Sequence, residues 1–400
     1  MQIGITKTKL SGVILCLMIV LMPLNHIMIP VIGAAYQPIL LSAVLIYLVI
    51  MSKSNKRLIH LDQAMSVWTI FFFIELISIL WSENLQRSIA QLIGTMETYI
   101  VALFVISSRY KIENKKMIYN SYVFMGSIYI IYALFFTVDQ IYTGRKMITF
   151  GEYGSMDPNE WCSYMIVPIA IFLFRFFEDK NIQVKFIYAC FILLTVYCAL
   201  LEGSRGGLLA LIVTMLIVAK QRMRLSIMTL LGMVFSFFLM LFIIWFYIIP
   251  IIPETVMHRF TVEGMIAYGG AGGRGELWKV ILNFLLENPV RLLFGVGLYG
   301  AASVPFVAHN QLLQVLLDMG FIGLTCYLYF LFLVFKRARE KGAIEEAAFW
   351  GMQIALLSLT GYSWLKSSWM VLIICLINYI DRGVGENGCT CYEKRKRTIS

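Results

Sequence analysis

Two arginines and a histidine are the residues of this chain best suited to chemistry. Arg205 stands in EGSRGG at 202–207, between FIYACFILLTVYCALL and LLALIVTMLIVA, two stretches suited to hydrocarbon. A charge between such stretches is costly unless it has a task. Arg274 follows the glycine run GGAGG at 269–273. His309 lies in AHNQLLQ at 308–314. A guanidinium offers a planar fork of donors that matches phosphate oxygens, so two arginines suit a phosphate or diphosphate. Ser204, Gly206 and Gly207 would let a bulky head group approach the backbone. Arg274 precedes a helical pattern beginning at 275, where backbone N–H groups favour anions. An imidazole titrates near neutrality, so His309 suits a base or a neutral hydrogen-bond donor. Each residue also has a plainer role: Arg205 as a snorkelling anchor, Arg274 as a solvated loop charge, His309 as a helix-end residue. What sets them apart is that all three fall on one side of the membrane, on separate parts of the chain.

Carboxylates form a second group. Glu202 and Asp157 lie on the same side as the arginines and are candidate acid/base or acceptor-binding residues, together with Asn310. Glu202 suits neutralisation of Arg205 equally well. Glu75, Glu97 and Asp318 fall inside apolar stretches, where a carboxylate is expensive and is either functional or paired. Asp318 lies nine residues after His309, roughly 13 Å deeper along a helix.

The elements that must position these residues follow from composition. The chain has 400 residues, 60% hydrophobic and 14% charged. A soluble domain is about a quarter charged. Apolar runs of about 18 residues or more recur throughout, each long enough to cross a bilayer as a helix. A transmembrane barrel would show alternating segments of about ten residues, which the sequence lacks. The expected fold is an all-α polytopic membrane protein, a single integral domain over 1–400. Twelve spans are expected: 10–29, 31–51, 64–82, 88–107, 118–138, 159–177, 184–201, 205–219, 225–249, 309–335, 344–361 and 364–381. The first apolar run reads as a span rather than a cleaved signal. Most of the eight cysteines sit inside spans as small hydrophobes, and Cys389 with Cys391 makes too little for a zinc site. No disulfide framework, metal or cofactor is expected.

With the N-terminus in the cytoplasm, 24 of the 33 basic residues fall on inside segments and nine outside. That bias sets both termini inside and explains the net charge of +10 without nucleic acid. The basic tail at 382–400 rests on anionic lipid or is simply solvated. Two outer segments are long: 139–158, ending GEYGSMDPNE, and the extracytoplasmic loop 250–308. Within the larger loop, Leu277, Trp278, Ile281, Phe284 and Leu285 stand at helical spacing, and Asn288-Pro289 ends the pattern. A short helix near the membrane surface is expected there.

Several motifs come in a fixed order: DPNEW at 157–161, SRGGLLAL at 204–211, Arg274-x-x-x-Trp278, NP at 288–289, GVG at 295–297, and HNQLLQ with MGFIG over 309–323. Together they resemble the O-antigen ligase and polymerase superfamily, over about 150–335. The resemblance implies an all-helical membrane fold with a large outer loop over the site. It implies transfer of a glycan from undecaprenyl diphosphate to an acceptor glycan on the outer face of the bacterial cytoplasmic membrane, without a metal. The family's two arginines and histidine fall, by motif, on Arg205, Arg274 and His309. In that reading Arg205 and Arg274 hold the diphosphate with Ser204 and Gly206 beside it. His309 orients or deprotonates the acceptor hydroxyl, with Glu202 or Asp157 as alternative bases.

Polymerase and ligase share these motifs. A repeat-unit polymerase for O-antigen, capsule or exopolysaccharide is the favoured expectation, and a ligase delivering finished polymer to another acceptor is the alternative. A chain-length regulator and a flippase of the same pathway would be partners, alongside membrane lipid. A lipid-linked oligosaccharide transporter is the rival of another class. It would show related halves and broken helices at mid-membrane. The sequence shows neither feature, and a transporter has no need of a long helix-bearing outer loop.

Overall fold

The computed structural model describes residues 2–30, 33–52, 61–140, 145–223, 246, 250, 254–258, 261, 263, 270–305, 307–359 and 365–380. Fourteen α-helices dominate these residues. Helix is the natural answer for a chain this apolar, because it satisfies backbone N–H and C=O groups within one segment. In chain order they are α1 Gln2–Val20, α2 Gln37–Ser52, α3 Gln63–Ser78, α4 Leu85–Ser107 and α5 Asn114–Phe135. Next come α6 Pro158–Glu178, α7 Ile182–Leu201, α8 Arg205–Arg222, α9 Glu254–His258 and α10 Gly270–Leu286. The last four are α11 Pro289–Phe294, α12 Gln311–Lys341, α13 Ala343–Leu356 and α14 Lys366–Leu376.

Among the described residues, six helical segments are long and apolar enough to cross a membrane: Gln63–Trp81, Leu85–Ser107, Asn114–Phe135, Pro158–Glu178, Ile182–Leu201 and Gln311–Lys341. The first, second and twelfth expected spans form shorter apolar helices, Leu10–Val20, Gln37–Ile46 and Lys366–Leu376. The eighth and eleventh are α8, of 18 residues, and α13, of 14. Nearly all of the ninth, 225–249, and the tail 382–400 lie outside the described residues.

Strands form partly inside expected spans: Met28–Ile29, Gly33–Ala34 and Asn378–Ile380 fall within 10–29, 31–51 and 364–381, whose helices stop short of them. β1 (Met28–Ile29) pairs with β2 (Gly33–Ala34), and β3 (Arg109–Lys111) runs parallel to β7 (Asn378–Ile380). The segment 139–158, expected to lie outside, contributes to a small antiparallel sheet of β4 (Thr137–Gln140), β5 (Arg145–Thr149) and β6 (Ser155–Met156). Its register sets Ile148 opposite Met156, and both are buried. These strands are too short for a period of two to stand out in the sequence.

Helices α6, α8 and α13 form the centre of the bundle. Small residues let α8 and α13 approach closely. A Cβ at Gly351 would stand 2.0 Å from Thr214 Oγ1 and 3.3 Å from the Ala210 carbonyl. Two buried aromatics join helices through their polar tips. Tyr122 donates to the Met370 carbonyl at 2.8 Å, and the Trp161 indole to the Tyr129 carbonyl at 2.8 Å.

Helix α12 is broken at Gly320, where φ is 63° and ψ −163°. The break frees carbonyls, and the loop after α11 takes them up. Val296 donates to the Leu317 carbonyl and Gly297 to the Asp318 carbonyl, each at 2.9 Å. The backbones come so close that a Cβ at Gly320 would lie 2.3 Å from the Leu293 carbonyl carbon. Gly320→Ala is therefore expected to lower stability by about 1–3 kcal/mol from backbone strain alone. Gly275→Ala, where a Cβ meets nothing within 4 Å, should be neutral or gain up to about 1 kcal/mol. Thermal unfolding of the two variants in detergent compares them directly; equal midpoints would contradict the packing of the broken helix.

Candidate functional site

Arg205 occupies the first position of α8, and three neighbours hold it there. Ser204 caps the helix, its hydroxyl accepting from the Gly207 amide at 3.2 Å. The same hydroxyl donates to Asn159 Oδ1 at 2.8 Å. Asn159 stands in the first turn of α6, whose own cap is Asp157, accepting from the Asn159 amide at 2.8 Å. DPNEW and SRGG, 45 residues apart, thus meet through one buried hydrogen bond. A Cβ on Gly206 would lie 2.2 Å from Ser358 Oγ, and one on Gly207 2.4 Å from Cys162 Cβ. These glycines serve close packing against α13 and α6; the sequence reading had assigned Gly206 to head-group approach. The Arg205 side chain is half-buried and has no hydrogen bond or ion pair among the described residues. A guanidinium placed at an ordered helix start without a protein partner is suited to an anion.

His309 is held from its preceding residue. The Ala308 amide donates to Gln314 Oε1 at 2.8 Å, and the Ala308 carbonyl accepts from the Trp278 indole at 2.9 Å. Gln314 Nε2 in turn donates to Asp318 Oδ1 at 2.9 Å. The carboxylate can only accept, so it fixes which way the Gln314 amide faces. His309 itself is exposed and adopts φ 49°, a left-handed conformation uncommon outside glycine. Asn310 then caps α12, its Oδ1 accepting from the Leu312 and Leu313 amides at 3.0 and 3.2 Å. Its oxygen is committed to the cap, so of the acid/base or acceptor-binding roles expected of Asn310, its amide N–H groups alone suit acceptor binding.

Arg274 is placed by α10, which begins at Gly270 rather than at 275. Four residues of the glycine run, expected as a flexible lead-in, form the first turn of the helix. Arg274 therefore sits one turn inside it, and Trp278 one turn further on reaches Ala308. That bond ties the helix of Arg274 to the turn of His309. The turn also connects to Arg205: Gln311 donates to Gln353 of α13 at 2.9 Å, five residues before Ser358 against Gly206. All three expected residues belong to one end of the bundle. Residues 294–301 are anchored at this end too. Trp81 donates to the Phe294 carbonyl, the Ser78 hydroxyl accepts from the Leu298 amide, and Arg87 donates to the Ala301 carbonyl.

Of the carboxylates, Glu202 is fully buried, and neither of its oxygens has a hydrogen-bond partner. It forms no ion pair with Arg205 among the described residues, so the neutralising role expected of it is not seen. Burial, and then the charge of Asp157, push its acid well above the usual carboxylate range. An enclosed acid is poorly placed to take a proton from an incoming hydroxyl. Asp157 is exposed but spends one oxygen on capping α6. Glu97 is paired with Lys366 at 3.0 Å. Asn159, Gln314, Gln353 and Ser358 were missed by the sequence reading. Asn159 and Gln314 stand in quoted motifs, Gln314 three residues after Gln311 at helical spacing; Gln353 and Ser358 carry no signal because their partners are distant in sequence.

Residues 190–328 match the O-antigen ligase family model. The matched stretch contains Arg205, Arg274 and His309, and it supports the resemblance to the O-antigen ligase and polymerase superfamily. The chain is a multi-pass membrane protein with an O-antigen ligase-like region. No curated protein matches it significantly. One solved chain, from a structure titled "Structural coordination of polymerization and crosslinking by a peptidoglycan synthase complex", is 14% identical with a TM-score of 0.44. It covers 78% of this chain and 96% of that one, a likeness too slight to build on.

Removing the acceptor in Gln314→Ala leaves the Ala308 amide without its partner, at about 1–3 kcal/mol. Hydrogen exchange across 307–310 should quicken roughly tenfold or more; unchanged protection would mean that Gln314 does not hold the turn. Glu202 gives a pH test. Its raised acid in the folded state contributes stability that is fully present below about pH 4 and lost as pH rises through the folded value. Glu202→Gln should therefore match the parent at acid pH and unfold at a higher temperature at alkaline pH. Parallel pH profiles would place Glu202 in a solvated setting.

Proposed function

We propose that the chain is a glycosyltransferase that moves a glycan from undecaprenyl diphosphate to an acceptor glycan at the outer face of the bacterial cytoplasmic membrane. The observation that carries this reading is Arg205, a guanidinium with no partner among the described residues, at the end of the bundle that also bears Arg274 and His309. The family match over 190–328 supports it. The positive-inside bias of the sequence places that end outside.

In this mechanism Arg205 and Arg274 hold the diphosphate and stabilise the charge it gains. The acceptor hydroxyl oxygen attacks the anomeric carbon from the face opposite the diphosphate. A bond forms between that oxygen and the anomeric carbon. The bond from the anomeric carbon to the diphosphate oxygen breaks, and its electron pair leaves with the diphosphate. The hydroxyl proton passes to His309. One displacement inverts the anomeric configuration. Because Glu202 is enclosed and burial raises its acid, His309 is favoured as the base over it.

A polymerase joining repeat units is the preferred form of this activity, and the experiment separates it from a ligase. Lipid-linked glycans of a strain lacking the gene are resolved by size. Single repeat units accumulating without long chains identify a polymerase, and long chains stranded on the lipid identify a ligase. An unchanged profile overturns both. Reintroduced Arg205→Ala should insert normally yet lose about 10²–10³ in transfer rate. Near-parental activity of that variant would remove the diphosphate role from Arg205.

A further inference from the structure

A second concavity lies at the opposite end of the bundle. Its volume is about 710 Å³, and its lining includes Lys115, Lys116, Arg175, Arg222 and Lys341. These five cations come from four helices: the start of α5 and the ends of α6, α8 and α12. Against them the lining sets two carboxylates, Asp179 and Glu345. Asp179 accepts from the Asn181 amide at 2.9 Å and thereby shapes the turn between α6 and α7. Glu345, buried, accepts from Tyr119 at 2.5 Å and lies 3.5 Å from Lys115. Arg222 pairs with Glu178 at 2.7 Å and lies over the Phe174 ring at 3.9 Å.

Three cations keep no carboxylate partner among the described residues. Arg175 donates to Asn120 Oδ1, Lys341 donates to the Ile374 and Ile377 carbonyls, and Lys116 is exposed. Bonds to neutral amide and carbonyl oxygens orient these side chains without cancelling their charge. Positive groups gathered around one hollow repel one another unless an anion enters. The topological bias toward basic residues inside does not demand this convergence. Lys336 and Arg339 serve that bias from exposed positions on α12 that do not line the hollow.

We propose that this hollow binds a phosphate-bearing anion. The guanidinium forks of Arg175 and Arg222 match phosphate oxygens, and the lysines add point charge. The volume suits a head group or a small soluble phosphate. The hollow sits where helices end, and Ile112 and Ile344 give it apolar lining. On the positive-inside orientation it faces the cytoplasm, and it is separate from the transfer site. Two sources share the chemistry: the head group of an anionic phospholipid, and a soluble cytoplasmic phosphate.

The test uses the full-length protein. It is placed in nanodiscs of phosphatidylcholine alone or with phosphatidylglycerol, and retained lipid is counted by native mass spectrometry. In parallel, inorganic pyrophosphate is titrated into the phosphatidylcholine sample. Preferential retention of phosphatidylglycerol, weakened roughly tenfold or more in the double variant Lys116→Gln/Arg175→Gln, supports the lipid source. Pyrophosphate binding lost in the same variant supports the soluble source. Arg339→Gln serves as the control for general surface charge and should leave either result unchanged. Failure to bind either probe, or equal weakening by Arg339→Gln, overturns the proposal.

Discussion

The constraint that organises this protein is the cost of a polar group without a partner in an apolar surrounding. It dictates helices, because only a helix satisfies its own backbone between lipid and core. It also explains how the one broken helix near the site is tolerated. Where Gly320 interrupts α12, the carbonyls of Leu317 and Asp318 are met by the amides of Val296 and Gly297. The loop that covers this end of the bundle is thus part of the hydrogen bonding of the helix beneath it. Removing either would expose the other.

The same demand builds the candidate site. Asp318, enclosed in α12, is met by Gln314; Gln314 then has its oxygen available for Ala308; Ala308 is met from the other side by Trp278. Each group satisfies the next, and the chain of bonds ends at His309, which is exposed. Around Arg205 the pattern repeats in miniature: Asn159 satisfies Ser204, and Ser204 satisfies the start of α8. The guanidinium itself is left over. A cation at an ordered helix start, with no partner among the described residues, is suited to an anion.

Charge divides the molecule along its axis. At the end with His309, the arginines are few and individually positioned. At the other end, basic residues from four helices line one hollow. Both ends are suited to phosphate chemistry, but by different means: single, preorganised donors in one place and accumulated charge in the other. The first arrangement suits a reacting group that must be aligned. The second suits a bound group that need only be held.

The sequence by itself determined that the chain is helical and membrane-embedded, because hydropathy over a bilayer's thickness is a local property. It also determined the candidate residues, because Arg205, Arg274 and His309 stand in short ordered motifs resembling one family. Tertiary structure decided what those motifs do for one another. That Gly206 packs on Ser358, that Asn310 caps a helix, that Glu202 is enclosed, and that Asp318 steadies the turn of His309 all depend on neighbours. Only Asn310 and Asp318 have those neighbours close by in sequence, and even there the backbone geometry decided the role. The start of α10 at Gly270 and the small sheet over 137–156 were hidden for a related reason. Glycine is permissive enough to join a helix when packing favours it. Strands of two to five residues carry too little periodicity to be read before their partners are known.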